Sequence, residues 1–347
     1  MKPKSGLTRF HNCYILRDSK IMKEDLWIRD GKIENPEFIF YVEQLEADVT
    51  VNCDDLVIAP GFIDIQINGG LGIDFSYNHE NVEQGIEKVA KELLKHGVTA
   101  FCPTMVTSDK ETYRQILPRI KKRQGGEHGA TVLGVHLEGP FISLAKKGAH
   151  SDEFIKSPER GLDSILETYG SLNNAVIVTL APELPGATEA IKGLTSQGIR
   201  VALGHSSASQ SQGEEAVRSG ANLITHLFNA MLPFHHRDPG LVGLLASTTD
   251  KQVFYGIISD GIHTHPSALR IACRTNPDGL ILVSDAIEAQ GLADGNYNIG
   301  TKSVTVEGGR AYVTGTKTLC GSTAALDECV TIFKEATAYR TGGAISV

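Results

Sequence analysis

The segment VLGVHLE, residues 132–138, is an apolar run that ends in a carboxylate. The same arrangement recurs later in the chain, where residues 201–205 (VALGH), 222–226 (NLITH) and 280–285 (LILVSD) end in histidine, histidine and aspartate. Potential metal ligands at the ends of several buried strands are what a metal site at the carboxyl-terminal mouth of a parallel barrel requires. The pattern therefore predicts a fold and the position of a site.

The composition is that of a globular protein. With 347 residues, 41% of them hydrophobic, the chain can form one barrel-sized domain and a smaller second one. The net charge is −8 and the cations are scattered, so neither nucleic acid nor a membrane is expected as a partner. The six cysteines show no CxxC spacing, which predicts reduced thiols. We find no signal-peptide or membrane-spanning pattern and expect a cytoplasmic location.

The chain changes character at Ala59-Pro60-Gly61. The segment before this point contains short β-type runs separated by turn signals such as Asp30-Gly31. The candidate strands there are Arg9 to Leu16, Asp25 to Arg29, Lys32 to Glu34 and Val49 to Cys53. We therefore predict a small β-sandwich domain built from the N-terminal strands over residues 1–58, and a second domain over residues 59–347.

The second domain alternates apolar strands with amphipathic helical patterns such as Val82 to His96. Its eight candidate strands are Phe62 to Ile67, Thr99 to Thr104, Val132 to Leu137, Val176 to Leu180, Ile199 to Gly204, Asn222 to His226, Phe254 to Ser259 and Leu280 to Asp285. This alternation predicts an α/β fold, a (β/α)8 TIM-like barrel. An open doubly wound sheet is the alternative. It fits less well, because the chemically active residues follow most strands rather than one switch point.

Glu138, His205 and His226 are the candidate metal ligands, since they end strands three, five and six. Two imidazoles and one carboxylate leave an open coordination position, which is how a catalytic zinc-type ion holds water. A single histidine at a strand end is more often a satisfied polar residue. Three such residues, each at the end of a different strand, favour one metal site.

Asp285 and His263 are the candidate catalytic residues. Asp285 ends strand eight and can take a proton from water and deliver it to a leaving amine; its other common role is to cap a helix. His263 follows strand seven and can donate a hydrogen bond to a developing oxyanion, or it can simply hydrogen-bond a loop. Asp260 can instead orient a histidine.

Strand one carries amides where many metal hydrolases of this architecture carry His-x-His. Gln66 and Asn68 occupy those positions, and strand four ends without a lysine that could bridge two metals. Because amides are poor zinc ligands, we predict one divalent metal ion rather than two, with Gln66 as a possible contact of the metal's water. Zinc is the ion we expect, although iron, cobalt and manganese tolerate such ligands.

An anion site is predicted in the segment THLFNAM and the loop that follows it, residues 225–240. Backbone amides after Asn229 and the guanidinium of Arg237 would suit a phosphate group. The loop Lys147 to His150 is a candidate lid or sugar contact. There is no Walker loop and no GxGxxG motif, so nucleotide binding is not favoured.

Six segments together resemble a known family. They are APGFID (59–64), HLEGPF (136–141), GAH (148–150), GHS (204–206), THLFNAM (225–231) and VSDA (283–286). In this order they resemble the N-acetylglucosamine-6-phosphate deacetylases of the amidohydrolase superfamily, from about residue 7 to residue 337. The resemblance implies metal-dependent hydrolysis of the N-acetyl group of N-acetylglucosamine 6-phosphate, giving glucosamine 6-phosphate and acetate.

The resemblance also implies roles for individual residues and a quaternary structure. It implies that Glu138, His205 and His226 bind the metal, that Asp285 is the acid/base, and that the protein is a homodimer. The implied substrate contacts are Ala149, Asn229, Ala230, Arg237, His263 and the segment Leu319, Cys320, Gly321 and Ser322. We add His150, from the loop predicted above as a lid or sugar contact, as a further substrate-binding residue.

The C-terminal part of the chain departs from the family. A Gly- and β-rich segment (291–318) and a helix from Thr323 to Thr337 follow strand eight, but the family then continues with a helix and strands that complete the small domain. We therefore expect the N-terminal β layer to expose an apolar edge. Two alternatives follow: a different amidohydrolase reaction on the same scaffold, or an inactive truncated isoform that acts as a partner subunit.

Overall fold

The structure, a computed structural model, describes residues 6–18, 20–77 and 80–337. These residues form two compact units that divide between Gly61 and Phe62. The sequence predicts that the second domain ends early relative to the family. Residues 338–347, on which this prediction depends, lie outside the described residues. Within the described residues, no helix has both the length and the apolar character needed to span a bilayer.

The first unit contains seven short strands. They are β1 (Leu7–His11), β2 (Tyr14–Arg17), β3 (Lys20–Lys23), β4 (Leu26–Arg29), β5 (Lys32–Glu34), β6 (Val49–Asn52) and β7 (Val57–Ile58). One sheet has the order β5-β4-β1-β6 and the other has the order β3-β2-β7. Buried Cys13, Ile15 and Leu26 form a small apolar core. The predicted β-sandwich is therefore confirmed as a fold class.

Several details of this unit differ from the sequence prediction. Strands β3 and β7 are not among the predicted strands. The single strand predicted from Arg9 to Leu16 is two strands, because the chain turns at Asn12, where φ is 54°. A π-helical turn, Phe38–Glu43, lies in a region where we expected only strands. Strand β6 forms one edge of its sheet and exposes Val49.

The second unit is the predicted barrel. Its eight main strands are β8 (Phe62–Ile67), β11 (Val98–Met105), β13 (Val135–Glu138), β14 (Ala175–Leu180), β15 (Arg200–Leu203), β16 (Leu223–Ile224), β17 (Phe254–Ile258) and β18 (Leu280–Val283). Three short strands lie between them in the chain: β9 (Gly69–Gly70), β10 (Ile73–Asp74) and β12 (Thr131–Val132). All pairings between neighbouring barrel strands are parallel. The amide of Asp285 donates to the carbonyl of Gln66 at 2.9 Å and connects the last strand to the first.

Helices follow the barrel strands on the outside. They are α1 (Val82–Leu93), α2 (Lys110–Ile116), α3 (Leu162–Tyr169), α4 (Ala187–Ser196), α5 (Gln210–Ser219), α6 (Pro266–Thr275) and α7 (Leu326–Thr337). After β16 the chain forms a 3-10 helix, Gly240–Ala246, whose glycines lower α-helix propensity. The predicted third strand is split at Gly134, whose φ of 138° is outside the range most residues adopt.

The Gly- and β-rich segment forms a separate three-stranded sheet. Its strands are β19 (Gly295–Ile299), β20 (Lys302–Glu307) and β21 (Arg310–Val313), all antiparallel. Its buried residues Ile299, Val304 and Val306 pack with Cys320, and half-buried Ala149 packs against this cluster. This sheet therefore covers one side of the barrel mouth, next to the loop that follows β13.

Helix α5 depends on a capping box at its start. The hydroxyl of Ser209 accepts a hydrogen bond from the amide of Gln212, and the Gln212 side chain accepts one from the amide of Ser209. We expect Ser209→Ala to lower the free energy of unfolding by about 1 kcal/mol, because an orphan helix donor is left unpaired. Urea denaturation measures the change. Ser219→Ala, at the other end of the helix, is the matched control; an equal loss in both variants would contradict the capping role.

Candidate metal centre and cavity

The four predicted strand-end residues meet at the carboxyl-terminal rim of the barrel. Glu138 is the last residue of β13, while His205, His226 and Asp285 each lie two residues beyond their strands. All four side chains are buried, with exposed fractions between 2% and 8%. Residues that are far apart in sequence thus share one water-poor site, where electrostatic interactions are strong.

The backbone after these strands is strained. His205, His226 and Asp285 have φ values of 47°, 27° and 47°, in the left-handed region that residues with a Cβ rarely adopt. Such a conformation costs on the order of 1–3 kcal/mol per residue and persists only when the surroundings hold it. Left-handed residues that cluster at one rim are typical of a functional site.

Three electron-pair donors converge at this rim. The Oε1 atom of Glu138 lies 3.1 Å from Nε2 of His205 and 3.0 Å from Nε2 of His226. The two imidazole nitrogens are themselves 3.0 Å apart. The Nδ1 atom of His205 lies 2.8 Å from the carbonyl oxygen of Lys146, so Nδ1 carries the proton and Nε2 keeps its lone pair. The donor set of two nitrogens and one carboxylate oxygen fits a divalent cation.

His150 lies next to the same group but offers different chemistry. One of its nitrogens is within 4.8 Å of donor atoms of Glu138 and His205, so these three residues form a second possible ligand set. The backbone amide of Thr107, however, donates to Nδ1 of His150 at 3.2 Å. The proton of the neutral ring must then sit on Nε2, which is a donor and not a metal ligand. We therefore favour the set that contains His226.

The amides of strand one bridge the two carboxylates of the rim. Gln66 Nε2 lies 3.2 Å from Oε1 of Glu138 and 3.3 Å from Oδ1 of Asp285, and Asn68 Nδ2 lies 2.8 Å from the same Oδ1. These groups stand where His-x-His would supply ligands for a second ion. Their N–H groups face the two acids, so these amides supply hydrogen-bond donors where a second ion would need ligands.

The two carboxylates have different electrostatic environments. Burial raises the pKa of Glu138, but its close interactions with the imidazoles of His205 and His226 outweigh burial and hold this pKa well below its usual value. Burial, followed by the negative charge of Glu138, raises the pKa of Asp285 to about 6. One acid is therefore suited to remain ionised as a ligand, and the other is suited to exchange protons.

A cavity of about 320 Å³ opens above these groups. Its walls contain all the predicted substrate-contacting residues except Arg237 and Ser322. Those that line it are Ala149, His150, Asn229, Ala230, His263, Leu319, Cys320 and Gly321. Arg237 lies in an exposed loop and does not line the cavity of its own chain.

The other histidines near the rim have defined partners. His263 lines the cavity, and its Nδ1 lies 2.7 Å from Oδ2 of Asp260, so the histidine that Asp260 contacts is His263. His136 spans the barrel interior from the carbonyl of Ile65 to the hydroxyl of Thr179, at 2.9 and 2.7 Å. Because both of its ring nitrogens are engaged there, His136 is a structural residue.

Comparison with known proteins agrees with this geometry. Residues 57–311, most of the chain, match the model of the amidohydrolase family. The chain belongs to the amidohydrolase family.

Characterised relatives of this amidohydrolase are very similar. N-acetylglucosamine-6-phosphate deacetylases from Danio rerio and Mus musculus are 54% and 55% identical to it over 95% of the chain, which spans 83% and 81% of their lengths. A solved structure of a mutant of the deacetylase from Mycobacterium smegmatis, in complex with N-acetyl-D-glucosamine-6-phosphate, superposes with a TM-score of 0.80 at 28% identity. That match covers 97% of this chain and 85% of the solved one.

Some residues of the cavity wall were missed by the sequence analysis. Thr107 lies two residues beyond β11, the same position relative to its strand as His205, so the strand-end rule could have found it. Thr301 and Lys302 reach this amidohydrolase cavity from the separate β-sheet, and Lys146 reaches it from the loop after β13. No local pattern marked these residues, because their position depends on how the sheet packs on the rim.

The ligand set predicts the metal content of this amidohydrolase. We expect about one divalent ion per chain in the wild-type protein, and almost none in Glu138→Gln, because the only anionic ligand becomes a neutral amide. Elemental analysis by mass spectrometry after dialysis measures the content. Glu189→Gln, an exposed glutamate of α4, is the control. Equal metal content in both variants would rule out Glu138 as a ligand.

Proposed function

We propose that this chain hydrolyses the acetamide of N-acetylglucosamine 6-phosphate to glucosamine 6-phosphate and acetate. The observation that carries the proposal is the juxtaposition of Asp285 with Glu138, His205 and His226 in one buried cavity. The names and high identity of the relatives support the choice of substrate. We also propose a homodimer in the cytoplasm; the free cysteines of the chain support the location.

We propose Glu138, His205 and His226 as the ligands of one divalent ion, most simply zinc, given two imidazoles and a carboxylate. Lewis-acid polarisation of the acetamide carbonyl and acidification of water are the chemistry that such an ion supplies. The hydrogen bond from Nδ1 of His205 to the Lys146 carbonyl keeps the ring in the tautomer and orientation that a ligand needs.

Asp285 moves the proton in this proposal. Its carboxylate lines the same cavity as the proposed ligands, and the amide of Gln66 bridges it to Glu138. It takes a proton from the attacking water and then delivers that proton to the leaving nitrogen, so the amine departs neutral. The raised pKa of Asp285 suits both steps, because a proton held too weakly would not reach the nitrogen and one held too strongly would not be released.

Two histidines are available to stabilise the oxyanion. We propose His150 for the carbonyl oxygen, because its Nε2 carries a proton and its ring centroid lies 4.4 Å from that of His205. The role of His263 at this oxygen stays a prediction. Its Nδ1 faces the carboxylate of Asp260, so in the neutral ring Nδ1 carries the proton and Nε2 does not. Nε2 therefore donates only when the ring is doubly protonated, a state that suits an anionic oxygen of the substrate.

The phosphate end of the substrate needs a second subunit in this proposal. Asn229 and Ala230 line the cavity, and the Ala230 amide donates to no group among the described residues. Arg237 is exposed, and its side chain forms no hydrogen bond or ion pair with a described residue. We therefore propose that Arg237 binds the phosphate in the cavity of its partner in the homodimer.

Replacement of the proposed proton carrier tests the reaction. We expect Asp285→Asn to lower kcat by roughly 10²- to 10⁴-fold, because an amide cannot accept and return the proton. Acetate release from N-acetylglucosamine 6-phosphate measures turnover, and elemental analysis checks that the metal is retained. Near-normal turnover in this variant would contradict the role of Asp285.

A panel of substrates tests the proposed reaction independently of the roles proposed for individual residues. The unphosphorylated sugar and the phosphorylated galactose epimer are tested beside the proposed substrate. If the metal-loaded wild type releases no acetate from any of them, the proposed function is wrong, whatever the variants do.

Arg237 allows a test of both phosphate binding and the dimer. We expect Arg237→Ala to lower kcat/KM roughly 10- to 100-fold for the phosphorylated sugar, because a charged hydrogen-bonded pair is lost. The unphosphorylated sugar should be unaffected. An equal loss on both sugars would place the anion site elsewhere.

Mixed dimers show which subunit supplies Arg237. If it acts across the interface, mixing Arg237→Ala with Asp285→Asn chains restores one intact site in each mixed dimer, about a quarter of wild-type activity for random pairing. If mixing restores nothing while gel filtration shows exchange of subunits, Arg237 acts within its own chain.

A further inference from the structure

Among the described residues, the side chain of Asn68 makes a single hydrogen bond, and that bond is to Asp285. Asn68 follows β8 at the rim of the barrel, and 3% of its surface is exposed. Its Nδ2 donates to Oδ1 of Asp285 at 2.8 Å, across 217 residues of sequence. An amide can face an ionised carboxylate only with its N–H groups, so the orientation of this side chain is decided by its partner.

The other end of the same amide is unsatisfied. Oδ1 of Asn68 is buried and has no hydrogen-bond partner among the described residues. A buried acceptor without a partner destabilises a fold, so its presence calls for an explanation. The local turn does not supply one, because the backbone of Asn68 is already held: its amide donates to Ala286 and its carbonyl accepts from Phe75.

Asp285 is held asymmetrically as a result. Its Oδ1 accepts from both Asn68 and Gln66, whereas its Oδ2 accepts from no group among the described residues. Since Asp285 lines the cavity, the unengaged oxygen is the one left for water and substrate. The shorter bond is the one from Asn68, because Gln66 divides its amide between Asp285 and Glu138.

We infer that Asn68 is a positioning residue for Asp285: it holds one carboxylate oxygen in place so that the other faces the reacting atoms. This inference rests on the proposed function. A carboxylate that must take a proton at one position and return it at another loses efficiency if its plane rotates freely. The unpaired Oδ1 of Asn68 is then a stability cost retained for the orientation of the catalytic acid.

Three variants test the inference, with N-acetylglucosamine 6-phosphate as the probe and the metal-loaded protein as the enzyme. We expect Asn68→Ala to lower kcat by roughly 10- to 100-fold, with KM and metal content close to wild type. Asn68→Asp keeps the shape but replaces the donor with a second acid facing Asp285, so it should lower kcat at least as much. The matched control is Asn174→Ala, whose amide donates to backbone carbonyls of Leu117 and Pro118.

The control should behave in the opposite way. Asn174 precedes β14 at the other end of its strand, so its loss should lower the melting temperature and leave kcat unchanged. For Asn68→Ala we expect the melting temperature to change little, because an unsatisfied buried acceptor is removed together with the hydrogen bond. A large fall in melting temperature with normal kcat in Asn68→Ala would overturn the inference, and so would full activity in Asn68→Asp.

A double-mutant cycle separates positioning from a general defect. If Asn68 acts only through Asp285, then adding Asn68→Ala to Asp285→Asn should lower single-turnover acetate release no further. A full additional loss would overturn the inference. If Asp285→Asn itself retains wild-type turnover, the proposed mechanism fails; if Asp285 is essential and Asn68→Ala is fully active, only the positioning role fails.

Discussion

The buried carboxylate of Glu138 is the constraint around which the barrel rim is arranged. Removing an ionised carboxylate from water is strongly unfavourable unless donors or cations surround it. Here two imidazoles lie within 3.1 Å of one of its oxygens, and the amide of Gln66 lies 3.2 Å away. Each of these groups comes from a different strand end, so this charge can be stabilised only when the barrel is closed.

The loops behind the rim hold the strained residues in place. After His205, the carboxylate of Glu183 accepts from the hydroxyl of Ser206 at 2.6 Å and from the amide of Ser207 at 2.5 Å. Glu183 itself follows β14, the neighbouring strand. The left-handed turn at His205 is thus fixed by a group outside the cavity, which is how an unfavourable backbone conformation persists at a site.

The cavity has one wall that does not belong to the barrel. The sheet of β19 to β21 packs its apolar residues against residues that follow β11 and β18 at the rim. The hydroxyls of Ser151 and Thr301 lie 3.1 Å apart where this sheet meets the loop after β13. The barrel therefore supplies the candidate metal ligands and Asp285, and the added sheet forms one wall of the cavity. This division agrees with the general rule that barrel enzymes place their catalytic residues at the strand ends and differ in their loops.

The sequence by itself determined the barrel, the strand ends and the identity of the residues gathered there, because apolar runs followed by polar residues are local patterns. It could not show that Asn68 and Gln66 hold Asp285, or that Arg237 lies outside the cavity of its own chain. Those relations depend on the register in which the first strand meets the last and on the packing of distant loops. Only the tertiary structure decided them, since contacts between residues more than 200 positions apart leave no mark on local periodicity.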